Sequence, residues 1–173
     1  MNIYSARTSF FSLLTLLALL FGSLPAAYAE EPTNPAAAVI KSHVMTTPSE
    51  IKWGPCSPAL PPGAQCAFLE GDPKAANVLF SYRLKMPNHY RISPHSHPAD
   101  EHLFIVKGSF NMGMGDTLDE KATKAMVAGS FVVMPKGTHH FAWTKGETII
   151  QVYAIGPWSV AYVNPADDPR NKK

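Results

Sequence analysis

No stretch of this chain carries the apolar period of a long amphipathic helix. Without such helices the crossovers of a parallel α/β sheet cannot be built. Basic clustering is equally scarce, the one short group being Arg170, Lys172 and Lys173 at the tail. A solvated terminus of that size is no footprint for nucleic acid, which needs a basic face or stripe. After the first apolar run no segment is long enough to cross a bilayer. The chain shows no internal repeat, and the histidine-rich segments described below occur once each, which argues against a two-domain duplication.

What is present begins with Arg7, an apolar run from Phe10 to Leu20, then Gly22, Pro25 and Ala27-Tyr28-Ala29. This is the order of a secretory signal peptide, too short for a span, with cleavage expected after Ala29. Cleavage would remove Arg7 and no acid from 15 basic and 13 acidic side chains, leaving a net charge near +1. Export predicts a periplasmic or secreted protein in an oxidising compartment. Cys56 and Cys66, the only two cysteines, bracket the turn-rich loop Ser57 to Gly63. A disulfide between them is expected, with two separate buried thiols as the alternative.

Two segments carry the chemistry. The first, His95 to Gly108, reads HSHPADEHLFIVKG. On a strand, His95 and His97 present both imidazoles to one face. Glu101 shares its parity with Leu103 and Ile105, so its carboxylate points with an inward apolar row. An unpaired charge there would be costly, and a cation removes the difficulty. The second, Gly129 to Thr144, takes a short strand through Pro135 and Gly137 to His139 and His140. Adjacent strand residues face opposite ways, so one of those histidines reaches an ion that the other does not.

These segments resemble the two signature motifs of the cupin superfamily. His95, His97, Glu101 and Gly108 stand at the first motif's spacings, with His89 in place of its leading glycine. Gly129, Pro135, Gly137 and His140 match the second, with Thr144 in place of its asparagine. The resemblance implies a metal held by His95, His97, Glu101 and His140, and it selects His140 over His139. His139 is expected to face outward, or to line a pocket mouth if the strand bulges; His102 and His139 are otherwise placed beside the ligands or in the core without an assigned role, and His43 and His89 are ordinary histidines. At the first departure the turn Asn88-His89 is expected to use Asn88 as its left-handed residue; the second is expected to alter a strand contact.

The rest of the chain reads as short strands punctuated by Gly, Pro and Asn. Strands are expected at Ile51 to Trp53, from Cys66, over Val78 to Lys85 with an alternating apolar row, and from Tyr90 into the ligand strand. Others follow at Glu101 to Lys107, Phe110 to Met114, Phe131 to Met134, Phe141 to Thr144, Thr148 to Ile155 and Trp158 to Val163. The loop through Asp119 to Lys124 is expected to hold a short helical turn. This pattern suggests an all-β sandwich or barrel, and the resemblance narrows it to a single-domain cupin jelly roll, the double-stranded β-helix. The expected layout is signal peptide 1–29, loose arm 30–48, barrel domain 49–165 and polar tail 166–173.

Three imidazoles and one carboxylate leave about two positions open on an octahedral ion. The donor set accepts a divalent transition metal, Zn, Mn, Fe, Cu or Ni, and loading outside the cytosol weights the expectation to Zn or Cu. The leading reading is a metal-dependent enzyme of dioxygenase, decarboxylase or isomerase type on a small organic substrate. Arg83, Tyr82, Tyr153 and Trp143 are pocket residues by type alone, and no catalytic residue is assigned. A non-catalytic metal or small-ligand binder is the alternative, favoured by the lack of a recognisable nucleophile, acid/base pair or cofactor loop. A structural or interaction protein has no positive signal. The expected partner is a small molecule, with no nucleic acid and no membrane once the leader is removed, and a homodimer is compatible with the resemblance.

Overall fold

The structure, a computed structural model, describes residues 43–172. The expected leader and most of the expected arm lie outside the described residues. Residues 43–47 have no regular structure, and Pro48–Glu50 form one 3₁₀ turn. Among the described residues nine strands follow: β1 Gly54–Pro55, β2 Gln65–Glu70, β3 Leu79–Met86, β4 Arg91–Ser96, β5 Glu101–Met114, β6 Lys124–Val127, β7 Phe131–Met134, β8 His140–Ile155 and β9 Ala161–Tyr162. Their pairings are antiparallel and build one curled sheet, the all-β jelly-roll barrel expected of the sequence.

The 16-residue β8 is the hub. Its first half pairs with β4, its second half with β3, and β5 runs along its other edge for most of its length. Alternation then sorts the side chains. Phe80, Leu84 and Met86 of β3, Leu103 and Ile105 of β5, and Ile150, Val152 and Ala154 of β8 are buried in the barrel. Each large apolar side chain so buried contributes roughly 1.5–3 kcal/mol. The opposite row reaches the outer face, where Leu79, Phe104, Phe131, Tyr153 and Ile155 are exposed.

Several expected elements merge, move or shrink. Glu101 to Lys107 and Phe110 to Met114 are one strand, β5, because Gly108 at φ 83° bends the chain without ending its pairing. The register slips on both sides of Lys107, and the buried set changes parity from Glu101, Leu103 and Ile105 to Phe110 and Met112. A side chain at Gly108 would strike the Glu147 carbonyl oxygen and Thr148 Cα, so glycine is required there. Phe141 to Thr144 and Thr148 to Ile155 likewise join through Gly146, at φ 78°, into β8. The strand expected at Ile51 to Trp53 lies later, at Gly54–Pro55, and the one expected over Trp158 to Val163 is only Ala161–Tyr162. The helical turn after Asp119 is present at Glu120–Ala122, but an unexpected β6 follows it and pairs with Ser109 to Met112.

The two motif departures have structural answers. At the first turn His89, not Asn88, holds the left-handed conformation, at φ 59°. His89 stands where the motif has glycine, while Asn88 uses its side-chain oxygen to accept from the Gly146 N–H at 2.6 Å. At the second, Thr144 is fully buried; its Oγ1 donates to the Pro87 carbonyl at 2.6 Å and accepts from the Tyr90 N–H at 2.9 Å. The hydroxyl thus ties β8 to the turn that precedes the ligand strand.

Cys56 and Cys66 are joined in a disulfide with Cα atoms 4.9 Å apart. Closing so short a loop contributes roughly 2–3 kcal/mol by restricting the unfolded chain. Gly108→Ala is expected to cost more stability than Gly146→Ala. Both incur left-handed strain of about 1–2 kcal/mol, but a Cβ at Gly146 meets nothing within 4 Å. Urea denaturation of the two variants measures the difference, and equal losses would refute the steric account of the β5 bend.

Candidate metal centre

Strand ends from three parts of the chain deliver the site. His95 lies on β4, where a register shift between Ile92 and His95 lets both side chains turn inward despite opposite parity. His97 follows just beyond the strand, Glu101 opens β5, and His140 opens β8 directly opposite His95. All four are buried, none more than 7 % exposed. One ring nitrogen from each of His95, His97 and His140 lies within 4.8 Å of the others. Glu101 joins from the side, with Oε1 3.6 Å from His97 Nε2 and Oε2 3.5 Å from His140 Nε2.

Each imidazole is held by a backbone carbonyl at Nδ1: His95 by Ser93 at 2.8 Å, His97 by Ser159 at 2.8 Å and His140 by Thr138 at 2.9 Å. A carbonyl oxygen only accepts, so each Nδ1 carries the proton and donates it. The neutral ring is then left with a bare lone pair on Nε2. His97 Nε2 is buried with no hydrogen-bond partner. Such an atom requires an explanation in a native interior, and a cation among three bare nitrogens and a carboxylate supplies one. Metal bonds of about 2.0–2.2 Å to N and O donors suit donor separations too long for direct hydrogen bonds. The cluster therefore fits a divalent metal.

Electrostatics favours the same form. Burial, reinforced by His140 and His97, pushes the His95 imidazolium down to about 3. Burial lowers His97 as well. Burial alone would raise Glu101, but its contacts with His140, His97 and His95 outweigh that and hold it below the ordinary carboxylate value. His95 and His97 are thus driven toward the neutral form and Glu101 toward the charged one, the protonation states a metal requires of such ligands.

The space at the cluster is a cavity of about 30 Å³. That is close to the volume of one water molecule. Apolar side chains, among them Leu84, Ile92, Leu103 and Ile150, form most of the rest of its wall. Trp158 stacks on His97 with ring centroids 4.0 Å apart and planes at 15°. Trp158, Ser159 and Ser93 escaped sequence reasoning. The two serines act through main-chain oxygens, which have no residue signature, and Trp158 sits in a segment read only as a strand.

Of the aromatic and basic candidates, only Tyr82 reaches this cavity. Tyr153 lies on the outer face, Trp143 donates to Thr123 Oγ1 at 3.2 Å, and Arg83 donates to Gln151 at 2.8 Å. His139 is exposed and paired with Asp116 at 2.6 Å. His102 is half-buried beside Phe131 on the outer side. Neither supports the ligands or fills the core, because alternation from Glu101 and His140 sends both outward.

His95 makes the stability of metal-stripped protein pH-dependent. The unfolded imidazole titrates near 6.5 and the folded one near 3, so between those values the unfolded chain binds more protons and acidification favours it. Stability is expected to fall as pH drops from 6.5 toward 3, and His95→Phe is expected to flatten that slope. Thermal melts across this range check it, and a slope unchanged in the variant would refute the assignment.

Residues 23–161 match the model of a domain family described as a domain of unknown function (DUF4437). Germin-like protein 5-1 of Oryza sativa subsp. japonica is 38% identical over 56 residues, covering 32% of this chain and 25% of the relative. The match thus spans about a quarter of that relative's length. The polyketide cyclase RemF of Streptomyces resistomycificus superposes with a TM-score of 0.60 at 17% identity, over 74% of this chain and 90% of its own. An RmlC-like cupin of Shewanella frigidimarina superposes with a TM-score of 0.51 at 16% identity, over 66% and 93%. At those identities the superpositions speak for the fold. A family match through most of the chain, a germin-like segment and a cupin barrel built from both motifs converge: this chain belongs to the DUF4437 domain family, and its described residues form a barrel of the cupin superfamily.

Proposed function

We propose that this protein is an exported cupin that binds one divalent transition metal through His95, His97, Glu101 and His140, and that it is a metal-dependent enzyme acting on a small organic molecule. The observation that carries the metal reading is the buried, unpartnered His97 Nε2, set with the two other imidazoles by carbonyl-held Nδ1 atoms. The donor set is mixed N and O, which suits Zn, Mn, Fe, Cu or Ni. When bound, such an ion supplies Lewis acidity to a substrate oxygen.

The chain's own residues do the remainder. The carbonyls of Ser93, Ser159 and Thr138 orient the rings, the stacked Trp158 restrains His97, and the apolar wall excludes water. Glu101 contributes the negative charge and, if released from the ion, a base for a substrate proton. The reaction type is dioxygenase, decarboxylase or isomerase. The Cys56–Cys66 bridge supports the periplasmic or secreted destination, since such bonds persist in oxidising compartments. A second reading, a non-catalytic metal binder, draws on the cavity of about 30 Å³, which holds little beside an ion.

Metal analysis of protein purified natively, and of apoprotein reloaded with each candidate ion, tests the site. Wild type is expected to hold one ion per chain, His97→Ala to bind at least about tenfold more weakly through loss of a donor, and His139→Ala to match wild type. Equal binding by wild type and His97→Ala would overturn the site. Oxygen consumption and product formation over small acids, phenolics and thiols then separate the readings, because turnover by none of them in fully metallated protein favours the binder.

A further inference from the structure

Next to the buried cluster lies a second, larger cavity of about 270 Å³. Its walls are aromatic and apolar, with Phe68, Tyr82 and Trp158 prominent, and Lys74 and Arg170 at its edge supply positive charge. Leu60, Tyr82 and Val160 line both this cavity and the small one that holds the four donors. A wall of three side chains therefore stands between the two spaces. We propose that this outer cavity is a binding vestibule for a small aromatic carboxylate, with Lys74 meeting the carboxylate and Leu60, Tyr82 and Val160 forming the partition toward the metal centre. As a substrate site it rests on the metal reading above; as a binding site it stands alone.

Size and chemistry select the ligand. An apolar cavity of about 150 Å³ accepts benzene, so about 270 Å³ takes one ring bearing a charged group. The aromatic walls suit a flat body. The two cations differ in availability. Arg170 is committed, since Nη2 lies 2.6 Å from Asp168 Oδ2 and donates to the Val160 carbonyl at 3.0 Å. Among the described residues Lys74 has no carboxylate within salt-bridge distance of its ammonium, the adjacent Asp72 carboxylate being turned to the Lys74 backbone N–H at 2.8 Å, so that ammonium is the cation at the edge with no ion-pair partner.

The roof is held in place rather than left to fluctuate. Leu60 belongs to the loop closed by the Cys56–Cys66 bridge. Two phenols pin that loop: Tyr90 donates to the Pro61 carbonyl, and Tyr162 to the Ala59 carbonyl at 2.8 Å. On the other side Arg170 anchors Val160 through its carbonyl. A ligand on Trp158 also touches the ring that stacks on His97, so occupancy of the vestibule is felt at the donor cluster.

The test is calorimetric titration of the full mature chain with benzoate, and with benzylamine as the cationic counterpart, in metal-loaded and metal-stripped protein. Benzoate is expected to bind both forms at least tenfold more tightly than benzylamine. Lys74→Glu is expected to weaken benzoate at least tenfold and Lys74→Arg to restore it; both changes sit on an exposed side chain and spare metal content. Bound benzoate is expected to slow metal removal by a chelator at least threefold, and Leu60→Ala to speed it. No benzoate binding, or binding indifferent to Lys74→Glu, overturns the vestibule while normal metal content leaves the metal reading intact. Lys74-dependent benzoate binding in a protein that takes up no metal supports the vestibule and overturns the metal reading.

Discussion

The centre depends on three hydrogen bonds from imidazole Nδ1 to main-chain carbonyls. Each one selects a tautomer, and the tautomer decides which ring nitrogen keeps its lone pair. Two of the acceptors are local, Ser93 for His95 and Thr138 for His140, so the strand that carries the ring also orients it. The third is distant: His97 uses Ser159, 62 residues further along. The orientation of His97 is therefore fixed only when the segment carrying Ser159 has packed against the barrel.

That arrangement gathers polar groups in an otherwise apolar interior. Leu103 and Ile105 continue the row begun by Glu101, and Ala142 follows His140 on the same face of its strand. In such surroundings a carboxylate without a partner is strongly disfavoured, and imidazoles avoid the charged form. The rings ease the burial of Glu101 in part, and an ion among the three imidazoles would ease it further. The same low-dielectric wall strengthens whatever electrostatic contact forms inside it.

Around this centre the chain adds parts that the motifs do not specify. The bridged loop, pinned by Tyr90 and Tyr162, closes one side of the mouth. The segment from Trp158 to Val160 closes another, supplying a stacked indole, a carbonyl and a wall side chain. These peripheral segments wall the space beside the donors, while the barrel strands hold the donors themselves. Fold and donor geometry alone leave a wide choice of chemistry.

Much of this was legible in the residues themselves. Strand alternation is local, so the inward rows of Phe80, Leu84, Leu103 and Ile105 followed from spacing alone, as did the opposite directions of His139 and His140. The short loop between the cysteines made their pairing a sound expectation for the same reason. Tertiary structure decided the rest. The parity switch at Gly108, the joining of half-strands into β5 and β8, the left-handed His89 and the pairing of β6 all depend on which strand lies alongside, and no local pattern encodes a neighbour. The carbonyl of Ser159 and the ring of Trp158 reach His97 for the same physical reason: chain closure brings together groups whose separation in sequence carries no signal of their contact.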